Sequence, residues 1–344
     1  MVRKTISWRV RRYDITTHAT KGFGEVWDWP DLAESGYQEP AWYIDQFLPE
    51  GGKVILAAKH GIGKSLLGQQ LSLHLAAGAD FLGLSVPSPR KVVYIQCEGD
   101  LGDTAQRGRD MHRMCPPVPP GQLTWAFHMK RKLNSPGGGR ALRELCEQAE
   151  LEDGLVVVDP IYKTIRGSMK DDDVVGEWQG ELDSVLNSHR SAGLIFQHEH
   201  RPIRNMYGEK VEEEGEEKVF GSAFWHAWAS YGYELRRLKE VGQFKLLNWK
   251  RRRPTALSEQ ETLLTLAQPS PLGFVLAEAG VSSTAQTIKH LTKSTGKVYN
   301  RDELGAIIGR GGTAIHEAVN TLCDMGVIEI VDGVRPTSYR TVVG

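Results

Sequence analysis

The sequence predicts an α/β protein with a mostly parallel central sheet, followed by a small C-terminal domain of a different kind. Two patterns predict the sheet: short, almost continuous apolar segments, typical of strands buried on both faces, and amphipathic helical segments that alternate with them. A third pattern predicts the second domain, because three helical segments and a hairpin follow residue 282. That order of elements is typical of a winged helix.

These patterns divide the chain into four segments. Residues 1–40 form a basic N-terminal arm, 41–254 the α/β domain, 255–282 a Leu-, Pro- and Ser-bearing linker, and 283–344 the winged helix. We interpret the arm as a partly ordered terminus, with contact to a neighbouring subunit or to nucleic acid as the alternative. The winged helix, whose basic and acidic residues are nearly balanced, is expected to contact either DNA or another protein.

The composition is that of a soluble globular protein. The net charge of −1 argues against a generally basic surface and leaves nucleic-acid contacts to local patches. The four cysteines have no C-x-x-C spacing, which predicts free thiols in a reducing compartment and no zinc site. No apolar segment reaches the length of a membrane span and the first residues lack the apolar core of a signal peptide, so we expect a cytoplasmic protein with no membrane partner.

The most informative segment is an apolar strand, Val54–Leu56, that leads through a glycine-bearing turn into a helix. Such a turn is typical of the phosphate loop of nucleoside-triphosphate-binding proteins, where backbone N–H groups and a helix N-terminus surround the phosphates. The residues expected to bind the nucleotide here are Ala58, Lys59, His60, Gly61, Ile62, Gly63, Lys64, Ser65 and Leu66. The alternative is a strand-to-helix turn that binds no ligand.

Three residues of this loop have particular expected roles. Lys64 is expected to reach the β- and γ-phosphates, and the Ser65 hydroxyl is expected to ligate Mg²⁺. Ala58 stands where the usual pattern has its first glycine. Alanine is compatible with that position if φ is negative there.

Two carboxylates follow predicted strands. Glu98 comes after Lys91–Cys97, which we expect to lie next to the phosphate-loop strand, and Asp159 comes after Leu155–Val158. Ligands of open α/β sheets bind at the carboxyl ends of the strands, so both carboxylates are candidate site residues. Asp159 is expected to hold Mg²⁺ through water. The alternative for Asp159 is a buried strand that happens to end in an acid.

Other candidate residues lie farther along the chain. The strand from Gly193 ends in Gln197 and His198, and the second strand of a predicted hairpin runs into Lys250 and three arginines. Near the start of the α/β domain, Trp42 and Tyr43 could either stack on an adenine or fill the edge of the core.

Together, the phosphate loop, Glu98, Asp159, Gln197/His198 and Lys250–Arg252 resemble the RecA-like ATPase core of plasmid RepA-type hexameric replicative helicases, in the DnaB-like group. The resemblance covers about residues 40–254 and implies ATP and Mg²⁺ as ligands. It also implies that Glu98 is the general base and that His198 or Gln197 senses the γ-phosphate. Lys250 and Arg252 would reach a neighbouring subunit's nucleotide, with Arg252 as an arginine finger. Which of Arg251, Arg252 and Arg253 is the finger is left open. Lys170, Arg201 and Arg204 would contact a DNA backbone in a central channel.

The resulting hypothesis is an ATP-hydrolysing homo-oligomeric ring, expected to be a hexamer, that acts on single-stranded DNA as a helicase or translocase of a plasmid, phage or mobile element. A replication or mobile-element protein is a further candidate partner through the winged helix. One alternative is an ATPase switch that loads or regulates a DNA-bound partner without unwinding. Another is a nucleotide-binding DNA regulator with little turnover.

Overall fold

The structure, a computed structural model, describes residues 28–34, 41–113, 117–198, 222–239, 242–252, 262–268, 272–277, 281–331 and 336–342. The chain forms two compact units, Met1–Pro40 and Ala41–Gly344. Within the first unit the described segment contains one short helix, α1 (Trp29–Glu34). All other elements belong to the second unit.

The strands of the second unit form three sheets among the described residues. They are β1 (Trp42–Ile44), β2 (Leu48–Pro49), β3 (Lys53–Ala58), β4 (Val92–Gln96), β5 (Leu123–Phe127), β6 (Leu155–Asp159), β7 (Ala192–His198), β8 (Tyr231–Arg237), β9 (Gln243–Arg251), β10 (Thr262–Ala267), β11 (Gly273–Leu276), β12 (Tyr299–Asn300), β13 (Ile328–Ile330) and β14 (Ser338–Thr341). The helices are α2 (Lys64–Ala77), α3 (Leu101–Met111), α4 (Gly138–Gln148), α5 (Asp172–Ser188), α6 (Phe224–Trp228), α7 (Ser283–Thr295), α8 (Arg301–Ile308) and α9 (Gly312–Asp324).

The large sheet has nine described strands in the order β11-β10-β9-β8-β3-β7-β6-β4-β5. Strands β8, β3, β7, β6, β4 and β5 are parallel to one another, and β9, β10 and β11 continue the sheet antiparallel. The predicted α/β fold with a mostly parallel sheet is therefore confirmed. The expectation that β4 lies next to β3 is wrong, because β7 and β6 pair in between.

Both faces of the parallel sheet are covered, which explains why its strands are apolar without alternation. On one face, Leu56, Tyr94, Val157 and Phe196 pack with helix α2. On the other, alternate residues of the same strands pack in a second core that includes buried residues of α4 and α5. Successive side chains of a strand point to opposite faces, so each strand supplies both cores.

The interpretation of residues 255–282 as a linker is wrong for the residues described there. Strand β10 pairs with β9, and β11 pairs with β10, so both extend the large sheet. Their apolar residues Leu264 and Phe274 are buried in the core that also contains α2. Pro and Ser around short apolar stretches suggested a connection, but a sheet edge with unpaired N–H and C=O groups provided pairing partners.

The C-terminal elements have a core of their own. Helices α7, α8 and α9 enclose Ile288, Leu304, Ile315 and Leu322, beside a three-stranded sheet of order β12-β14-β13. The predicted capping box of α8 is present: Asn300 Oδ1 accepts from the Glu303 N–H at 2.9 Å, and the Asn300 N–H donates to Glu303 Oε2 at 2.8 Å. Helix α7 also contacts β10. The name winged helix for this domain stays a prediction.

Trp42 and Tyr43 belong to the core. Tyr43 is 1% exposed, with the Arg90 guanidinium 4.8 Å from its ring centroid. Trp42 packs edge-on against Tyr231 at 5.6 Å. Of the two alternatives for this pair, the structure therefore supports filling of the core.

Two further expectations concern membranes and cysteines. No helix in the described part of the chain is both long and apolar enough to span a membrane. Cys97, Cys146 and Cys323 are free thiols, and Cys115 lies outside the described residues.

Gln70 of α2 provides a test of how the edge strand is held. Its side chain donates to the Phe274 carbonyl at 2.8 Å and accepts from the Phe274 N–H at 2.7 Å, and both residues are buried. We expect Gln70→Leu to lower the free energy of unfolding by about 2 kcal/mol, because it leaves two buried backbone groups without partners. Urea denaturation measures this, with the exposed Gln148→Leu on α4 as the matched control. Equal effects of the two substitutions would contradict the assignment.

Candidate functional site

The phosphate-loop segment lies between the end of β3 and the start of α2. Gly61 and Gly63 have φ of 75° and 112°, values that favour glycine, and Gly63 is the N-cap of α2. Ala58 is the last residue of β3, fully buried, and is not among the residues with positive φ. The loop therefore keeps its glycines where the backbone requires them and tolerates alanine at its first position.

Lys64 connects the phosphate loop to the neighbouring strand. Its Nζ donates to the Ala58 carbonyl at 2.9 Å and to the Lys59 carbonyl at 3.3 Å, and lies 3.2 Å from His198 Nδ1. An ammonium group only donates, so His198 Nδ1 must accept and its ring must be neutral. Burial, followed by the charges of Lys64 and His60, lowers the pKa of His198 from 6.5 to about 4.

The pairing of β3 with β7 explains this contact. Ala58 lies opposite His198 in the parallel register, and Ala57 lies opposite Gln197. Because side chains alternate along β7, His198 is on the same face as Phe196 and α2, whereas Gln197 is on the other face and fully buried. His198, one of the two expected phosphate sensors, contacts Lys64.

Asp159, at the end of β6, is buried and is hydrogen-bonded both to β4 and to the phosphate-loop segment. Tyr94 Oη donates to Asp159 Oδ2 at 2.7 Å, and the Ser65 hydroxyl also hydrogen-bonds to this carboxylate. Burial raises the pKa of Asp159 to about 6, although the bonds from Tyr94 and Ser65 and the charge of Lys64 lower it. A buried carboxylate beside a hydroxyl offers oxygen ligands of the kind Mg²⁺ prefers, so Ser65 and Asp159 fit a Mg²⁺–nucleotide.

Glu98 follows β4 and is positioned by a buried polar chain. Gln69 of α2 donates to Gln96 at 3.2 Å, and the Gln96 amide donates to the Glu98 carbonyl and to Thr104 Oγ1, both at 2.9 Å. The half-buried Glu98 carboxylate makes no hydrogen bond or ion pair with the part of the chain that the structure describes. Strands β4 and β6 are neighbours in the sheet, and the charge of Glu98 contributes to the raised pKa of Asp159, so the two carboxylates lie close to each other.

Lys250 and Arg252 are not part of this chain's own phosphate site. Strand β9 runs antiparallel to β8, so its end pairs with the start of β8, where Lys250 lies opposite Gly232 and Arg251 opposite Tyr231. The phosphate loop follows the other end of the parallel strands. Lys250 Nζ donates to the His226 carbonyl, Arg252 is exposed, and Arg253 lies outside the described residues.

The three expected nucleic-acid contacts are only partly described. Lys170 is exposed on the segment between β6 and α5, at the same edge of the sheet as the phosphate loop. Arg201 and Arg204 lie outside the described residues, as does the acidic segment 209–217.

Several site residues were missed from the sequence. Tyr94 bonds Asp159, and Tyr162 lies 5.4 Å from the His198 ring between ring centroids. Phe274 was assigned to the linker, yet a Cβ on Gly63 would lie 3.0 Å from its ring. Glutamines within apolar segments, such as Gln69 and Gln96, were the one available signal, because buried amides need specific partners.

Comparisons with known proteins agree with this geometry. A family model described as an AAA domain (AAA_25) matches residues 22–202, more than half of the chain. The chain belongs to this AAA domain family. No curated protein matches the sequence.

Two solved structures resemble this AAA domain protein. The structure described as the ATPase domain of G40P has a TM-score of 0.50 and 10% identity, and covers 67% of this chain and 86% of that one. A KaiC-like protein, PH0186 from Pyrococcus horikoshii OT3, has a TM-score of 0.45 and 14% identity, with 70% and 98% covered. The family match shows an AAA domain, and the likeness to the first structure confirms the RecA-like P-loop ATPase fold. Membership of a P-loop ATPase family implies nucleotide binding, usually with Mg²⁺, and supports ATP hydrolysis.

Gly63 and Ala58 provide a paired test of the loop. Gly63→Ala places a methyl group at φ of 112° and 3.0 Å from Phe274, so we expect it to weaken ATP binding at least about tenfold. Ala58→Gly restores the usual pattern but should not tighten binding, because this position does not need positive φ. Titration with a fluorescent ATP analogue measures both, and Gly312→Ala, which has open space around it, is the control. Tighter binding by Ala58→Gly would contradict this account.

The lowered pKa of His198 predicts a pH effect on stability. The unfolded chain binds a proton at this residue near pH 6.5, whereas the folded chain does so only near pH 4. Folding is therefore favoured by this group above pH 6.5 and loses that contribution as the pH falls towards 4. Thermal melts should show a steeper fall in Tm from pH 7 to pH 5 for the wild type than for His198→Gln. Parallel curves would show that His198 is not held neutral.

Proposed function

We propose that this protein is an ATP-hydrolysing ring ATPase that acts on DNA, as a hexameric helicase or translocase of a plasmid, phage or mobile element. The observation that carries the proposal is the position of Lys250 and Arg252 near the amino-terminal ends of the parallel strands, whereas the phosphate loop lies at their carboxyl ends. Cations in that position are remote from the chain's own nucleotide, but a neighbouring copy can bring them to it. Each site would then be complete only between two subunits.

Within one subunit, the chemistry is divided among four groups. Backbone N–H groups of the loop and the start of α2 bind the phosphates, and Lys64 exchanges its bonds to the Ala58 and Lys59 carbonyls for phosphate oxygens. Ser65 and Asp159 would hold Mg²⁺, which neutralises phosphate charge when bound. Glu98, whose carboxylate makes no bond to the described residues, is the group suited to orient a water molecule and accept its proton.

His198 is the proposed sensor of the γ-phosphate. Its Nδ1 lies 3.2 Å from Lys64 Nζ, so any movement of Lys64 towards a phosphate changes the partner of His198. The ring lies near Tyr162, on the segment that follows β6. Gln197, buried on the other face of the sheet, would respond through strand β7 rather than by direct contact.

Glu98→Gln tests the proposed base. The variant keeps the shape of the side chain but cannot accept the proton, so ATP should still bind while turnover falls at least about 100-fold. A coupled phosphate-release assay measures turnover, and titration with a fluorescent analogue measures binding. Glu144→Gln, an exposed position on α4, should behave as wild type. Turnover near the wild-type rate in Glu98→Gln would assign the base to another residue.

Mixing of two inactive variants tests action between subunits. Lys64→Ala removes the site but leaves the finger, and Arg252→Ala does the reverse. An arginine finger contributes roughly 10³ to 10⁵ in rate, so each variant alone should be nearly inactive. A mixture should regain turnover wherever an intact site meets an intact finger. Arg251→Ala is the matched control for register, and a mixture no more active than its components would contradict a shared site.

A second candidate function is an ATPase switch that regulates a DNA-bound partner through a C-terminal winged helix. It is favoured by the exposed face of α9, the third helix of that domain, which carries Thr313, His316, Glu317 and Asn320. Helix α9 itself has two acids and no Lys or Arg, whereas Arg and Lys supply many of the phosphate contacts of DNA-binding proteins. Such a face is better suited to a protein surface.

Strand displacement on forked DNA, with particle mass measured in parallel, distinguishes the two candidates. Unwinding by a particle of six-fold mass supports the helicase. ATP hydrolysis without unwinding or movement along DNA supports the switch.

A further inference from the structure

Two segments of the ATPase domain concentrate positive charge. Residues 128–137 follow β5 and residues 161–171 follow β6, and together we call them the basic platform. They contain six lysines and arginines and one acid, in a chain whose net charge is −1. The basic residues are Lys130, Arg131, Lys132, Lys163, Arg166 and Lys170.

Hydrogen bonds hold the two segments together. Asn134 donates to the Arg166 carbonyl at 3.0 Å and accepts from the Arg166 N–H at 2.7 Å. The Leu133 N–H donates to the Thr164 carbonyl at 2.7 Å, and Lys132 Nζ donates to the Lys163 carbonyl. Both segments leave the carboxyl ends of parallel strands, so they form one ordered surface at the edge of the sheet that also carries the phosphate loop.

Four of the six cations of this surface are not neutralised by the described residues around them. Lys130, Arg131, Lys163 and Arg166 are exposed and make no ion pair with any carboxylate in the described ranges. The single acid, Asp171, accepts from the N–H groups of Asp173 and Val174 as the cap of α5. Four uncompensated cations on a fixed surface repel one another, and a polyanion relieves that repulsion.

An aromatic ring joins the platform to the nucleotide site. Tyr162 is 38% exposed. Lys163 Nζ lies 5.2 Å from the Tyr162 ring centroid, and the centroid of the His198 ring lies 5.4 Å from it. His198 in turn contacts Lys64. Exposed rings beside cations are the usual surface for single-stranded nucleic acid, because bases stack on the ring while phosphates contact the charges.

We propose that the basic platform binds the backbone of single-stranded nucleic acid, with Lys130 and Arg131 after β5 as contacts additional to the segment after β6. This inference rests on the proposed function and adds a second segment to its nucleic-acid interface. Tyr162 contacts His198, and His198 contacts Lys64. A nucleic-acid strand stacked on Tyr162 is thereby linked to the nucleotide site, which gives a physical route by which bound nucleic acid influences ATP turnover.

The test is the double variant Lys130→Gln/Arg131→Gln in the full chain. Fluorescence anisotropy of a labelled thymidine oligonucleotide, at several salt concentrations, should show affinity at least about tenfold weaker. The slope of log K against log salt should fall by ~1.4, because each lost phosphate contact contributes ~0.7 for single strands. ATP turnover without nucleic acid should be unchanged, whereas its dependence on oligonucleotide concentration should shift to higher concentration.

The matched control is Arg109→Gln/Arg113→Gln, which removes two exposed charges outside the platform, one in the last turn of α3 and one just after it. Affinity equal to wild type in the platform variant, or an equal loss in the control, overturns the proposal. A loss of affinity that accompanies a change in particle mass also overturns it, because the platform would then act in assembly. If the wild type hydrolyses ATP but does not bind the oligonucleotide, only the proposed nucleic-acid-binding role of the platform is refuted. If the wild type has no ATP turnover, the proposed function is refuted.

Discussion

The site depends on the parallel pairing of β7 with β3. This pairing sets His198 opposite Ala58, so the Lys64 ammonium group lies between the end of one strand and the side chain of the other. Because β7 lies next to β3, β6 is the second strand from β3 and β4 is the third. This order determines how far Asp159 and Glu98 lie from the loop. The ammonium group and the buried carboxylate, each costly to bury alone, are brought into one charged network.

Helix α2 transmits this arrangement in two directions. Gln69 leads through Gln96 to the backbone of Glu98, and Gln70 holds the backbone of Phe274 on the edge strand β11. Since β10 contacts α7, the phosphate loop, Glu98 and the C-terminal helices are joined by packed or hydrogen-bonded groups. Gln69 and Gln70, neighbours in α2, thus connect the phosphate-loop helix to β4 on one side of the sheet and to β11 on the other.

The sequence predicted the elements whose signals are local. The apolar strands, the glycine turn before Lys64, and the Asn300–Glu303 capping box each depend on residues a few positions apart, and the structure has all three. It did not predict that β7 separates β3 from β6, because strand order depends on which strands pair at long range. Strands β10 and β11 were missed because they are short, and their stability depends on long-range pairing with β9 and packing against α2.

For the candidate site, the sequence by itself determined the residue types: a loop that can approach phosphates, a hydroxyl, two carboxylates and distant cations. Only the tertiary structure decided which of them meet. It brought His198 to Lys64 through the register of β7, set Tyr94 against Asp159 and Tyr162 beside His198, and placed Lys250 and Arg252 away from this chain's own phosphate loop. The residue type at each position fixes which chemistry a side chain can perform. Strand pairing and packing decide which side chains lie close together, and no local sequence pattern contains that information.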